Sequence, residues 1–124
     1  MQHHISQKEK FTVLTILDTS INANNMPKLI DLAKTVLSLP PHNLIVNFES
    51  VTSWDVTILD QLIGLQEVFY NQNASFVICC LSENLLSSLK ASEFADIVNY
   101  TPTESEAWDI VQMEEIEREL DLDI

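Results

Sequence analysis

Glycine is almost missing from this chain, with Gly64 the only one among 124 residues. A loop that wraps a phosphate needs several glycines to let backbone N–H groups approach the anion, so the glycine-rich nucleotide-binding fingerprints are excluded. Cysteine is confined to the neighbours Cys79 and Cys80. Without a second cluster there is no zinc spacing, and two buried, reduced thiols are the expected state in a reducing compartment. In the strand-like segment SFVICCL, adjacent side chains are expected to point to opposite faces, which removes a normal metal pair as well. No apolar run approaches the roughly 20 residues that span a bilayer, and the opening MQHHISQKEK lacks the apolar centre of a signal peptide. A cytoplasmic chain with no membrane association, no cofactor and no metal is expected.

Basic residues are scarce too. Six lysines and arginines stand against 19 acids, a net charge of −13, which argues against nucleic acid and anionic membranes as partners because both require cationic surface. The acid is uneven: Glu104 to Ile124 holds nine carboxylates and one arginine, eight of the thirteen net negative charges. A solvated helix face with a frayed acidic end from residue 114 to 124 is the expected reading, and no ligand is assigned there. Histidine occurs only as His3 and His4, in an N-terminal segment expected to be loose, and His42 after two prolines. None sits beside a nucleophile, and Asp55 and Asp60 lie five apart, a spacing that does not bring two carboxylates together for acid and base work. An enzyme is not expected.

What is present is a sequence large enough for one core, 46% hydrophobic, without repeats or linkers. KFTVLTILD has apolar residues on both faces and reads as a strand inside a sheet, with residues near His4 to Ser6 pairing alongside. Asn24 or Asn25 is expected to cap a helix with Pro27 in its first turn and a stripe of Leu29, Ile30, Ala33, Val36 and Leu37. Pro40 and Pro41 end it before a strand at Leu44 to Phe48, and Ile58, Leu62, Leu65 and Phe69 then recur at helical spacing. A polar turn at Asn71 to Asn73, a strand at Ser75 to Leu81 and a short helix capped by Ser82 follow. Ile97 to Tyr100 reads as a late strand. Thr101-Pro102-Thr103-Glu104 reads as a capping box for a last helix whose buried stripe is Ala107, Trp108, Val111, Met113, Ile116 and Leu120. Alternating strands and helices predict an α/β layer with crossovers, built on a mixed sheet of four to five strands packed against about four helices.

The segment NLIVNFESVTSWDVTILDQLIGL, Asn43 to Leu65, is the most informative: a buried strand enters a polar loop and then an apolar-faced helix. Unpaired N–H groups and the positive end of the helix dipole make that loop suited to a carboxylate or phosphate. Its VTSWDVTIL resembles the "V-T-x-x-D-S-S-G-L" of the STAS domain family, as found in stand-alone anti-sigma factor antagonists (anti-anti-sigma factors). Val51, Thr52, Asp55 and Leu59 are retained. TPTESEAW is similar to the family's closing "T-x-x-E-A", and MEEIEREL to the tail of its small members. The resemblance runs from about Phe11 to Leu120 and implies a single STAS-like domain over 1–124, its core about 10–120.

Three departures bear on function. Val56 stands where the family carries its phosphorylatable serine, followed by Thr57, and Ile58 replaces the glycine. Asn22, in TSINANN, stands where members often have an acid. The resemblance implies a non-enzymatic regulatory module that binds a protein partner, a kinase-like anti-sigma factor, and takes part in partner switching, where phosphorylation adds charge that breaks the contact. The implied partner-binding residues are Ser53, Trp54, Asp55, Val56, Thr57, Asp60 and Asn22, with Thr57 and Ser53 as candidate phosphate acceptors. Trp54 is either an exposed aromatic anchor or buried against the sheet. Asp60 places fixed charge in the first helical turn, so the surface either mimics the modified state or, because Val56 cannot be modified, stays permanently competent to bind. A structural or scaffold subunit pairing with another STAS protein or an enzyme is the alternative function.

Overall fold

A computed structural model describes residues 1–122. Three apolar strands, β2 (Thr12–Ile16), β4 (Leu44–Asn47) and β6 (Phe76–Cys79), form its centre, since each is apolar on both faces and must be covered on both. They pair in parallel, β2 with β4 and β4 with β6. The five-stranded sheet has the order β1-β2-β4-β6-β7, closed on one side by the antiparallel β1 (His3–Gln7) and on the other by the short parallel β7 (Tyr100–Thr101). A separate two-stranded parallel ribbon pairs β3 (Ser20–Ile21) with β5 (Ser53–Trp54). The mixed sheet and four helices match the expected single α/β domain. The sheet begins before residue 10, because His3 and His4 lie in β1 and not in a loose segment.

Alternation along the strands divides the core. Leu14, Ile16, Leu44, Val46, Phe76 and Ile78 face α1 (Met26–Ser38), α2 (Ile58–Asn71) and α3 (Glu83–Lys90). Phe11, Val13, Ile45, Val77 and Cys79 face the single helix α4 (Glu104–Leu122), through Ala107 and Val111. The first helix uses Met26, Leu29, Ala33 and Leu37, and the second Ile58, Leu59, Leu62, Ile63, Leu65 and Phe69, the helical spacing expected of them.

Several local expectations are corrected. Asn25 does not cap α1 with its side chain; its Oδ1 accepts from Asn22 N–H and its Nδ2 donates to Asp18 and to the Ser20 carbonyl. The capping box of α4 is displaced by two residues: Thr103 Oγ1 accepts from Glu106 N–H at 3.2 Å and also bonds the Glu106 carboxylate, leaving Pro102 ahead of the helix. Ser82 does cap α3, accepting from Leu85 N–H. Cys80 leaves the strand with φ 64°, so the two thiol sulfurs do not diverge but lie 3.6 Å apart. Cys79 is buried and Cys80 half-buried; burial, followed by the neighbouring Cys80, pushes the Cys79 thiol well above its ordinary range.

The largest correction concerns α4. Met113, Ile116 and Leu120 are 57–58% exposed instead of continuing the buried stripe. Polar groups hold that half of the helix to the sheet. Asn43, itself buried, donates to the Lys10 carbonyl and to Glu115, and accepts from Ser75 N–H. Arg118 joins this cluster through Ser75 Oγ and Glu115. Glu114 accepts from the Tyr70 hydroxyl at 2.7 Å, and burial followed by that carboxylate pushes the phenol well above its usual range.

Candidate functional site

In an open α/β sheet the crevice beyond the carboxyl ends of the parallel strands is where ligands and partners are met. Here that end carries the segments after β2, β4, β6 and β7. The β3–β5 ribbon joins the first two. Ser20 pairs with Ser53 and Ile21 with Trp54, Thr52 N–H and Ser53 N–H donate to the Thr19 carbonyl, and Asp55 N–H donates to Ile21. The Asp55 bond to Ile21 brings the segment that carries Asn22, distant in sequence, to the loop before α2. The ribbon was not legible beforehand, because two-residue strands carry no periodicity.

The loop entering α2 is built around Asp55. Its Oδ1 accepts from Thr57 N–H at 3.0 Å and from the Thr57 hydroxyl at 2.9 Å, and these bonds hold the Asp55 carboxyl below its usual range. The Thr57 hydroxyl is therefore already donating. Thr57 occupies the N-cap position of α2 without capping it by its side chain, and Ile58 N–H and Leu59 N–H close the turn onto the Asp55 and Val56 carbonyls. Val56, between them, is 58% exposed and presents a bare isopropyl group at the head of the helix. Ser53 and Asp60 are exposed, and Asp60 lies in the first turn of α2, where its charge complements the helix dipole.

Trp54 takes neither of the two extremes considered. It is half-buried, its ring edge-on to Phe48 with centroids 5.8 Å apart, and its indole N–H donates to Ser88 Oγ at 3.1 Å. Asn84 adds a second link between α3 and this loop, donating to the Thr52 carbonyl. Asn22 is half-buried and committed internally, its Oδ1 accepting from Asn24 N–H. Sequence reasoning missed Asp18, which accepts from Gln2 N–H and Asn25; those bonds hold its carboxyl below the usual range, with Gln2 contributing most. It missed Ser88 and Asn84 as well. Their signal lay in a polar face of α3 aimed at the loop, which only the packing identifies.

The electrostatics of this end are one-sided. The segments 17–25, 49–61, 80–84 and 101–106 contain no lysine or arginine, while Asp18, Glu49, Asp55, Asp60, Glu83, Glu104 and Glu106 lie on them. Among the described residues, no group of three or more His, Cys, Asp or Glu side chains is arranged to hold a metal ion. No described helix is long and apolar enough to cross a membrane.

No curated protein matches the sequence significantly. Solved structures do share its fold. A Thermotoga maritima protein described as an anti-sigma factor antagonist is 16% identical, with a TM-score of 0.69, the match covering 89% of this chain and 94% of that one. An anti-sigma-factor antagonist (STAS) domain protein from Planctomyces limnophilus is 12% identical at a TM-score of 0.73, covering 89% of this chain and 97% of that one. The anti-sigma factor antagonist SpoIIAA, in its unphosphorylated form, is 13% identical at a TM-score of 0.69, covering 90% and 96%. At such identities the likeness speaks for the fold, and family membership rests on the sequence profile. The STAS domain profile matches residues 4–107, most of the chain and all of the loop that enters α2, and the protein belongs to the STAS domain family.

Proposed function

We propose that this protein is a non-enzymatic regulatory module that binds another protein through the end of the domain formed by Asn22, Ser53 to Thr57 and Asp60. It acts by occupancy and not by phosphorylation at the head of α2. The observation that carries this reading is Val56: the exposed position opening α2 holds a side chain without an acceptor oxygen, and the next hydroxyl, on Thr57, is tied to Asp55. A kinase that reached Thr57 would have to break that bond. The half-buried Trp54, braced by Phe48 and Ser88, supplies a rigid aromatic surface of the kind on which interfaces concentrate their energy. Structural relatives described as anti-sigma factor antagonists support a protein partner, and a kinase-like anti-sigma factor is the partner class proposed. The acidic surround calls for a basic patch on that partner, so association should slow as salt is raised.

Capture from lysate of the source cell tests this, with wild type beside Asp55→Ala and Val56→Glu, both at exposed positions. Recovery of a kinase-like anti-sigma protein by wild type, and its loss with Val56→Glu, supports a surface competent in its unmodified state. Recovery of that partner only with Val56→Glu reverses the sense of the switch. Recovery of a different protein equally by all three transfers the function to the scaffold alternative. Incubation of the captured pair with ATP should leave the intact mass of this chain unchanged; one added phosphate at Thr57 or Ser53 overturns the occupancy mechanism.

A further inference from the structure

The second half of α4 is inverted. Its inward side is polar, with Glu114 on Tyr70 of α2 and Glu115 and Arg118 on Asn43 and Ser75, while Met113, Ile116 and Leu120 stand on the outer side, each more than half exposed. The spacing of three and four residues places them in one row, the a-d-a seam of a heptad, over about 10 Å of helix at 1.5 Å per residue. Among the described residues, the apolar core contacts of α4 are made through Ala107 and Val111, and that row adds nothing to them.

What flanks the row decides its occupant. Gln112 and Glu119 lie along one side, Glu117 and Asp121 along the other, and Asp109 one turn before Met113; all are exposed. The one cation of this helix, Arg118, is turned inward onto Glu115 and Ser75. A second copy of the chain would set these carboxylates against themselves, in a molecule already at −13. We infer that the outer face of α4 docks an amphipathic helix of another protein, one with an apolar seam at heptad spacing flanked by lysine or arginine. This surface lies on the opposite side of the sheet from α2 and is separate from the loop that opens it, so one chain could hold two partners.

The test uses a synthetic helix of about three heptads with leucine at a and d and lysine at e and g, whose own like charges keep it monomeric. Two controls accompany it: the same leucines flanked by glutamate, and a scrambled peptide of unchanged charge. Fluorescence anisotropy should show the full-length protein binding the lysine-flanked helix alone, more weakly as salt rises. The double variant Met113→Gln/Ile116→Gln keeps every charge and should bind at least about tenfold more weakly, the loss expected for two interface anchors, with an unchanged thermal melt. Equal binding by the double variant, or equal binding of the scrambled peptide, would reduce the effect to charge and overturn the proposal. Failure of wild type to bind the lysine-flanked helix overturns it too. A wild-type dimer in sedimentation that the double variant dissolves would give the face to a second copy instead.

Discussion

Trp54 ties the loop before α2 to α3, and its removal should cost stability as well as any contact it makes outward. A packed tryptophan removes about 150–250 Å² from water, and Trp54 is mostly covered, which accounts for about 150 Å², or about 4 kcal/mol at about 25 cal/mol per Å². The edge-to-face pair with Phe48 contributes about 0.5–1.5 kcal/mol. The hydrogen bond to Ser88 adds about 1 kcal/mol. Relaxation of neighbours into the gap recovers part of this, and the expected loss for Trp54→Ala is about 4 kcal/mol, a fall in Tm of about 15 °C for a domain of this size. Trp54→Phe keeps the aromatic edge and should lose only about 1 kcal/mol, as should Ser88→Ala. If the indole hydrogen bond is the link, those two changes are not additive: the double variant costs about 1 kcal/mol less than their sum. Urea melts of wild type and the four variants measure each quantity. A loss below about 1 kcal/mol for Trp54→Ala would refute the packing argument and make the side chain a free anchor.

Two further outcomes are expected. Burial pushes the Glu115 carboxyl up, but hydrogen bonds from Asn43 and Arg118 and the Arg118 charge outweigh it and hold it below its ordinary value of 4.5. A carboxyl depressed in the folded state stabilises above its unfolded pKa and loses that contribution as the pH falls through the folded one. Glu115→Gln should therefore be about 1 kcal/mol less stable at pH 7, with the gap closing below about pH 4, and a gap that does not change with pH in paired urea melts would contradict it. Gly64 sits inside α2, and a Cβ added there meets nothing within 4 Å. Gly64→Ala should raise stability by about 0.5–1 kcal/mol, read as a higher urea midpoint at unchanged slope; a destabilised variant would mean that the glycine serves a close approach.

The layered α/β architecture was legible in the residues, since LIVNF and FVIC are apolar on both faces and the α1 and α2 stripes recur at helical spacing. Those patterns report how much of each element must be buried, and burial of both strand faces leaves only a sheet with helices on each side. The loop from Ser53 to Thr57 was found for the same reason, as the polar gap between a buried strand and an amphipathic helix. The sequence alone also determined that position 56, just ahead of the α2 cap, has no hydroxyl, because Val56 cannot acquire one by folding. Tertiary structure decided what that loop touches. The β3–β5 ribbon, the hydrogen bond from Trp54 to Ser88, and the bond from Asp55 N–H to Ile21 are contacts between segments some 30 residues apart that no local pattern encodes. It also decided what holds the second half of α4, whose apolar residues suggest core although Val111 and Met113, two residues apart, lie about 200° around the helix from each other and share no face. In α4 the cluster of Asn43, Ser75, Glu115 and Arg118 turned the polar side inward and left Met113, Ile116 and Leu120 outside.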